Sequence, residues 1–157
     1  MKNILLLGGS GFIGKNIIES FKIQTDIKLI VFARSSKELE DHFLPNKNII
    51  FINGSISDYD LITSKILDFN IDTVIHLVSS IIASSSSEEF FEEMNNVIIP
   101  TFKLIDFLSD KDIDFIYFSS GGTIYGKSKD VIKESHIKNP INYYGYSKLI
   151  IENYIEF

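Results

Sequence analysis

Residues 8–14 read GGSGFIG and follow directly on the apolar run Ile4 to Leu7. A glycine cluster between a strand and a helix restricts the chain more than any other feature, because few folds need a turn stripped of side chains at that junction. Glycines at 8, 11 and 14 fit a G-x-x-G-x-x-G spacing, and those at 9, 11 and 14 also fit G-x-G-x-x-G, so the spacing alone leaves the subclass open. The leading glycines, Gly8 and Gly9, permit the tight turn. Gly11 lets backbone approach a pyrophosphate, and Gly14 lets helix and strand pack closely. The helix N-terminus then offers N–H groups and a positive dipole end to an anion. Phe12 and Ile13 are expected to begin the core face of that helix. Together, Gly8, Gly9, Ser10, Gly11, Phe12, Ile13 and Gly14 read as a dinucleotide-binding turn rather than a plain strand-to-helix junction.

The remaining sequence alternates short aliphatic runs with longer amphipathic ones, the pattern of βαβ units and a parallel sheet. Strands are expected near 3–7, 27–33, 48–52, 72–78 and 113–119, and helices near 12–22, 58–69, 87–109 and from Tyr143 to the C-terminus. The fold expected is α/β: a Rossmann-like, doubly wound parallel sheet in three layers, one domain over 1–157 with no internal repeat. Ser57 and Asp58 are placed to cap the helix before Leu61, Ile62 and Ile66. Ser84 to Ser87 read as a loop ending in a cap for the acidic first turn Glu88-Glu89, and Pro100 should kink the long helix by removing one backbone bond.

Composition narrows the chemistry. With 157 residues, 45% of them hydrophobic, the chain can bury a real core. Fifteen Lys and Arg against 21 Asp and Glu give a net charge of −6, which excludes the basic field that holds a nucleic acid backbone. The lack of cysteine excludes disulfides, thiolate catalysis and thiolate metal sites. His42, His76 and His136 lack ligand spacing, so no metal is expected. The run Ile4 to Leu7 is far short of the roughly 20 residues of a membrane span, so a cytoplasmic protein with no membrane partner is expected.

Two further places carry chemistry. The tip of the second strand reads Val31-Phe32-Ala33-Arg34-Ser35-Ser36, without the carboxylate that would bond a ribose 2′-OH. Arg34 and the serines could instead receive a 2′-phosphate, which favours NADP slightly over NAD. Near the C-terminus, Tyr144 and Lys148 stand four residues apart, on one face of a helix. A cation beside a phenol favours the phenolate and readies it to take a proton from a hydroxyl.

Four segments in order make the chain resemble the extended short-chain dehydrogenase/reductase family, in particular its NAD(P)-dependent nucleotide-sugar epimerases and dehydratases. They are GGSGFIG at 8–14, Val74-Ile75-His76-Leu77, the stretch Phe118 to Gly126 reading FSSGGTIYG, and Asn142 to Lys148 reading NYYGYSK. The resemblance implies that Tyr144 is the acid and base and that Lys148 bonds the nicotinamide ribose while lowering the phenol's pKa. It implies that Leu77, Val78, Ser79 and Ser119 pass along the cofactor, and that Ser55 and Ile56, after Gly54, lie at the adenine. The family hydroxyl that bonds the reacting sugar falls at Gly121 here, which leaves Thr123 as the candidate. His76 reads as a packed strand residue, and either Asn95 or Asn96 matches a family asparagine. Family members continue into a C-terminal substrate domain, which this chain is expected to lack. The resemblance therefore implies the cofactor half of an enzyme, inactive alone, that in longer form takes a nucleotide sugar. A non-catalytic NAD(P)-binding module and a keto-sugar reductase are the alternatives. The fifth strand would be an apolar edge, and association of copies into a homo-oligomer is expected.

Overall fold

The computed structural model describes residues 1–43 and 46–157. Five strands, Lys2–Leu7 (β1), Ile27–Ala33 (β2), Ile49–Asn53 (β3), Thr73–His76 (β4) and Asp114–Tyr117 (β5), form one sheet in the order β3-β2-β1-β4-β5. Every neighbouring pair is parallel. The helices are Phe12–Phe21 (α1), Ser36–Phe43 (α2), Tyr59–Asp68 (α3), Ser87–Glu93 (α4), Ile99–Leu108 (α5) and Tyr143–Glu156 (α6). This is the Rossmann-like doubly wound arrangement, and chain order reverses beside β1, the place where such sheets bind ligands. Among the described residues, no helix is long and apolar enough to cross a membrane.

The central strands read as unbroken apolar runs because both faces are covered. Along β1, alternation sends Ile4 and Leu6 to one face, where they join Leu29, Val31 and Ile75 in a cluster closed by Ile18 of α1 and by Leu39 and Phe43 of α2. Leu5, Leu7, Ile30 and Val74 take the opposite phase and are equally buried. Ile62 and Ile66 of α3 and Leu104 and Leu108 of α5 are buried too, and these two helices meet where the rings of Tyr59 and Phe107 lie edge to face at 6.4 Å. Each such aliphatic side chain withdrawn from water contributes roughly 1.5–3 kcal/mol, so the sheet supplies most of the stabilising burial.

Chain contacts divide the molecule into two compact units, Met1–Val78 with Lys103–Phe118, and Ser79–Phe102 with Ser119–Phe157. The first holds the whole sheet. The second is built on aromatic packing: the Phe90 ring of α4 stacks on Tyr143 at 5.1 Å, and Phe102 stacks on Tyr154 at 3.9 Å.

Several expectations are corrected. The polar segment SKELEDHF forms α2, held by Leu39 and Phe43 at a four-residue spacing. β4 and β5 end at His76 and Tyr117, earlier than their apolar composition suggests, because pairing continues only as far as single bonds such as Phe118 N–H to the His76 carbonyl (3.1 Å). Asp58 occupies the N-cap of α3 but does not cap it; its carboxylate accepts the Ser55 N–H behind it at 2.7 Å. The cap expected at the end of the Ser84–Ser87 run is present, as Ser86 caps α4 through a reciprocal box with Glu89. The long helical stretch widens into a π-helical turn, Met94–Ile98, directly before Pro100. Proline has no N–H to offer the carbonyl four residues back, and the turn before it is looser, with Ile99 N–H reaching Met94 O.

Candidate functional site

In the sheet-bearing unit the glycine turn leaves little room for a side chain at Gly8 and none at Gly9 or Gly14, whereas a Cβ on Gly11 would meet only Gly8 O, at 3.7 Å. Gly8 holds φ +91°, and a Cβ there would stand 3.2 Å from Val78 N and 3.3 Å from the Leu77 carbonyl carbon. A Cβ on Gly14 would lie 2.7 Å from Gly8 O, Gly9 Cα and Gly9 O, all backbone. This brings the turn and the backbone of Leu77 and Val78 together at the end of β1. Gly11 is the N-cap of α1, and no side chain caps that helix, so its leading N–H groups are left for another acceptor. Ser10, Gly11, Phe12 and Ile13 are exposed. Phe12 at 84% and Ile13 at 47% do not begin a core face; the buried side of α1 begins at Gly14 and Ile18. A close turn with uncapped donors fits a pyrophosphate.

Arg34 and Ser35 are exposed just beyond β2, whereas Ser36 is buried in the first turn of α2. Of the two serines read beside Arg34, only Ser35 is therefore accessible. Gly54 N–H bonds the Ala33 carbonyl at 3.1 Å, which sets the start of the Ser55–Ile56 segment against the tip of β2. Ile56 is buried and Ser55 half-buried. His76 is fully buried between the rings of Phe115 and Tyr117, at 6.0 and 5.6 Å, in keeping with a packed strand residue.

In the second unit, Asn142 caps α6 by accepting the Gly145 N–H at 2.8 Å. A Cβ on Gly145 would come within 2.6 Å of Thr123 O, so the start of α6 lies on the 119–126 loop. Tyr144 is half-buried. Lys148, one turn later, is 4% exposed, with Nζ 5.6 Å from the centre of the Tyr144 ring. Burial pulls the Lys148 ammonium from 10.5 down to about 8, and the charge of Glu93 opposes that fall.

Glu93 is the residue that sequence reasoning missed. It is 1% exposed and accepts hydrogen bonds from Ser79 Oγ (3.0 Å), Ser80 N–H (2.9 Å) and Ser80 Oγ. Its signal was present in the helical phase, since Phe90, Glu93 and Val97 recur at positions i, i+3 and i+7 and all three are buried.

Thr123 is half-buried, and both its N–H and its hydroxyl are directed at the Ser120 carbonyl, at 3.0 and 3.4 Å. Gly121 and Gly122 face open space. The Ser119 hydroxyl oxygen is buried without a hydrogen-bond partner among the described residues, as a group held for a bound molecule would be. Asn95 and Asn96 are both exposed, and neither register is preferred. Among the described residues no cluster of His, Asp and Glu is arranged for a metal ion.

Residues 4–156 match the model of the NAD dependent epimerase/dehydratase family. The UDP-glucose 4-epimerase of Halalkalibacterium halodurans is 31% identical over 150 residues, covering 95% of this chain and 44% of that protein. The crystal structure of UDP-glucose 4-epimerase from Thermotoga maritima with UDP-glucose superimposes with a TM-score of 0.83 at 30% identity, over 99% of this chain and 50% of that one. A UDP-glucose 4-epimerase from Brucella ovis in complex with NAD gives 0.82 at 27% identity, over 98% and 46%. The chain thus spans about half the length of the curated relatives it matches. With a glycine cradle at the end of β1, a sheet ordered β3-β2-β1-β4-β5 and a family match from Ile4 to Glu156, the chain belongs to the NAD dependent epimerase/dehydratase family.

Proposed function

We propose that this chain is the cofactor-binding and acid–base half of a nucleotide-sugar epimerase or dehydratase. The observation that carries the reading is Lys148, a lysine 4% exposed on the same helix face as Tyr144. Burying an ammonium is unfavourable, and a surface pair would not keep it. Tyr144, with the Lys148 amine 5.6 Å from its ring centre, is the group that exchanges a proton with a sugar hydroxyl in this reading. Lys148 also has donors for ribose hydroxyls. The glycine turn and the N-terminus of α1 would hold the pyrophosphate, with the Leu77–Val78 backbone and Ser79 and Ser119 along the nicotinamide half and Ser55 and Ile56 at the adenine. A bound nicotinamide dinucleotide supplies the hydride acceptor and donor. Because the matched relatives named above are UDP-glucose 4-epimerases, a UDP-hexose is the substrate class proposed for the longer protein.

Two finer points belong to the same reading. Arg34 and Ser35, both accessible, are suited to a 2′-phosphate, so NADP(H) is expected to bind at least as tightly as NAD(H). The edge strand β5 exposes Ile116, which supports association between copies. Thr123 is retained as the hydroxyl for the sugar, although its turn bond to Ser120 must loosen for that role.

Calorimetric titration with NAD(H) and NADP(H) tests the cofactor half: both should bind, Arg34→Ala should remove any NADP preference, and absence of binding refutes the reading. In a longer form carrying the remaining half, Tyr144→Phe should abolish turnover of the nucleotide sugar while leaving dinucleotide affinity within about twofold. Retained turnover would overturn the role given to Tyr144. A second reading, a binding module without catalysis, is favoured by the open Gly121 where a hydroxyl is expected, and it predicts dinucleotide binding with no turnover in any form.

A further inference from the structure

Within the second unit, Ser79 and Ser80 are bound to a carboxylate that water scarcely reaches. Glu93 is 1% exposed, and its two oxygens divide the serines between them. Oε1 accepts from Ser79 Oγ at 3.0 Å, while Oε2 accepts from the Ser80 N–H at 2.9 Å and from Ser80 Oγ. A carboxylate withdrawn from water needs such donors in place of its hydration. Because Glu93 is the last residue of α4, the Ser79–Ser80 segment is tied to the end of that helix.

A serine hydroxyl has one proton to give and two lone pairs to accept with. The Ser79 hydroxyl donates toward Glu93 Oε1 and, more distantly, toward the Ile81 carbonyl at 3.4 Å, and both of these groups can only accept. Its proton is thus committed inside the chain, and its oxygen is left to accept. Ser79 is half-buried, so a ligand can still reach that oxygen. We propose that Ser79 Oγ accepts a hydrogen bond from the nicotinamide half of the dinucleotide, given by a ribose hydroxyl or by the carboxamide N–H, and that Glu93 is the positioning residue that fixes it as an acceptor. The inference rests on the proposed function, which sets Ser79 along that half. Glu93→Gln would reverse the direction. The Ser80 N–H can only donate, so the amide oxygen must face Ser80 and the amide N–H turns toward Ser79 Oγ. The oxygen is then occupied from inside, the hydroxyl proton is directed outward, and an incoming donor loses its acceptor.

Calorimetric titration of the 157-residue chain with ADP, ADP-ribose and NADH tests this. ADP lacks the nicotinamide half, ADP-ribose adds its ribose hydroxyls, and NADH adds the carboxamide as well. Ser79→Ala should weaken NADH several-fold, as the loss of one hydrogen bond does, and leave ADP within about twofold. ADP-ribose weakened alongside NADH identifies the ribose as the donor; ADP-ribose unchanged identifies the carboxamide. Unaltered NADH affinity in Ser79→Ala overturns the proposal, and so does equal weakening of all three ligands, which a change in the fold alone would produce. Glu93→Gln should weaken the same ligands as Ser79→Ala and add nothing in a Ser79→Ala background; a full further loss there overturns the role given to Glu93. Should Glu93→Gln lose its circular dichroism spectrum, Glu93→Asp, which draws the acceptor away from Ser79 by one methylene, is read in the same cycle, and Ser79→Ala still decides whether the hydroxyl holds the ligand. A parent chain that binds none of the three refutes the proposed function and this inference with it, whereas NADH binding that ignores Ser79→Ala refutes the inference alone.

Discussion

Replacing Lys148 by methionine should make this chain more stable at neutral pH. The side chain is 4% exposed, and burial lowers its pKa from 10.5 to about 8 even with Glu93 nearby. Each pH unit of displacement is worth about 1.4 kcal/mol, so carrying the charged form into the fold costs about 3 kcal/mol. Methionine matches the length of the stem and has no charge to desolvate. The pH dependence follows from proton binding. Because the folded pKa lies below the unfolded one, both states hold the proton below pH 8 and the full penalty applies. Between 8 and 10.5 only the unfolded chain holds it, so the parent gains stability as pH rises. The advantage of Lys148→Met should therefore be about 3 kcal/mol at pH 7 and fall to about 1 kcal/mol at pH 10. In urea, with a slope of about 2 kcal/mol/M, this is a midpoint about 1.5 M higher at pH 7, read by far-UV circular dichroism because the chain lacks tryptophan. A methionine variant less stable than the parent at pH 7, or a gain identical at pH 7 and pH 10, would refute the argument. The variant should also bind dinucleotide more weakly, which gives a reason for a destabilising lysine to be kept.

Gly14→Ala should cost at least about 2 kcal/mol and abolish detectable dinucleotide binding by calorimetry, since its Cβ would sit 2.7 Å from three backbone atoms that cannot move independently. Gly121→Ala meets nothing within 4 Å and has no positive φ to strain, so it should leave the thermal midpoint unchanged or raise stability by up to about 1 kcal/mol. Ser86→Ala removes the capping box of α4 and should lower stability by about 1 kcal/mol in urea titration.

The sheet was legible because its inner strands are buried on both faces, so Ile4 to Leu7 and Leu29 to Ala33 announce themselves as apolar runs. The same rule misplaced the ends of β4 and β5. Leu77, Val78 and Phe118 are apolar enough to prolong a strand, but pairing stops at His76 and Tyr117 and the chain turns aside. Composition reports burial; it does not report hydrogen-bond pairing. α2 escaped notice for the opposite reason. Its eight residues are mostly polar, and two apolar side chains four apart are too few to show a period until β1 and β2 are in place for them to meet.

The candidate site divides along a similar line. The glycine turn was readable because its requirement is the absence of a side chain, and an absence at 8, 9 and 14 is written directly in the sequence. Phe12 and Ile13 misled because helical phase predicts which residues share a face, not whether the first turn is yet against the core. Glu93 sits in the run SEEFFEE, which reads as a solvated acidic face; only its phase with Phe90 and Val97 shows that this one carboxylate points inward. A buried acid and a buried lysine both contradict the local rule that charges stay in water, and such conflicts survive only where something offsets them. Here the charge of Glu93 opposes part of the effect of burial on Lys148. The remaining cost, about 3 kcal/mol, falls on Lys148, the residue to which the proposed acid–base role assigns both a use and a partner in Tyr144.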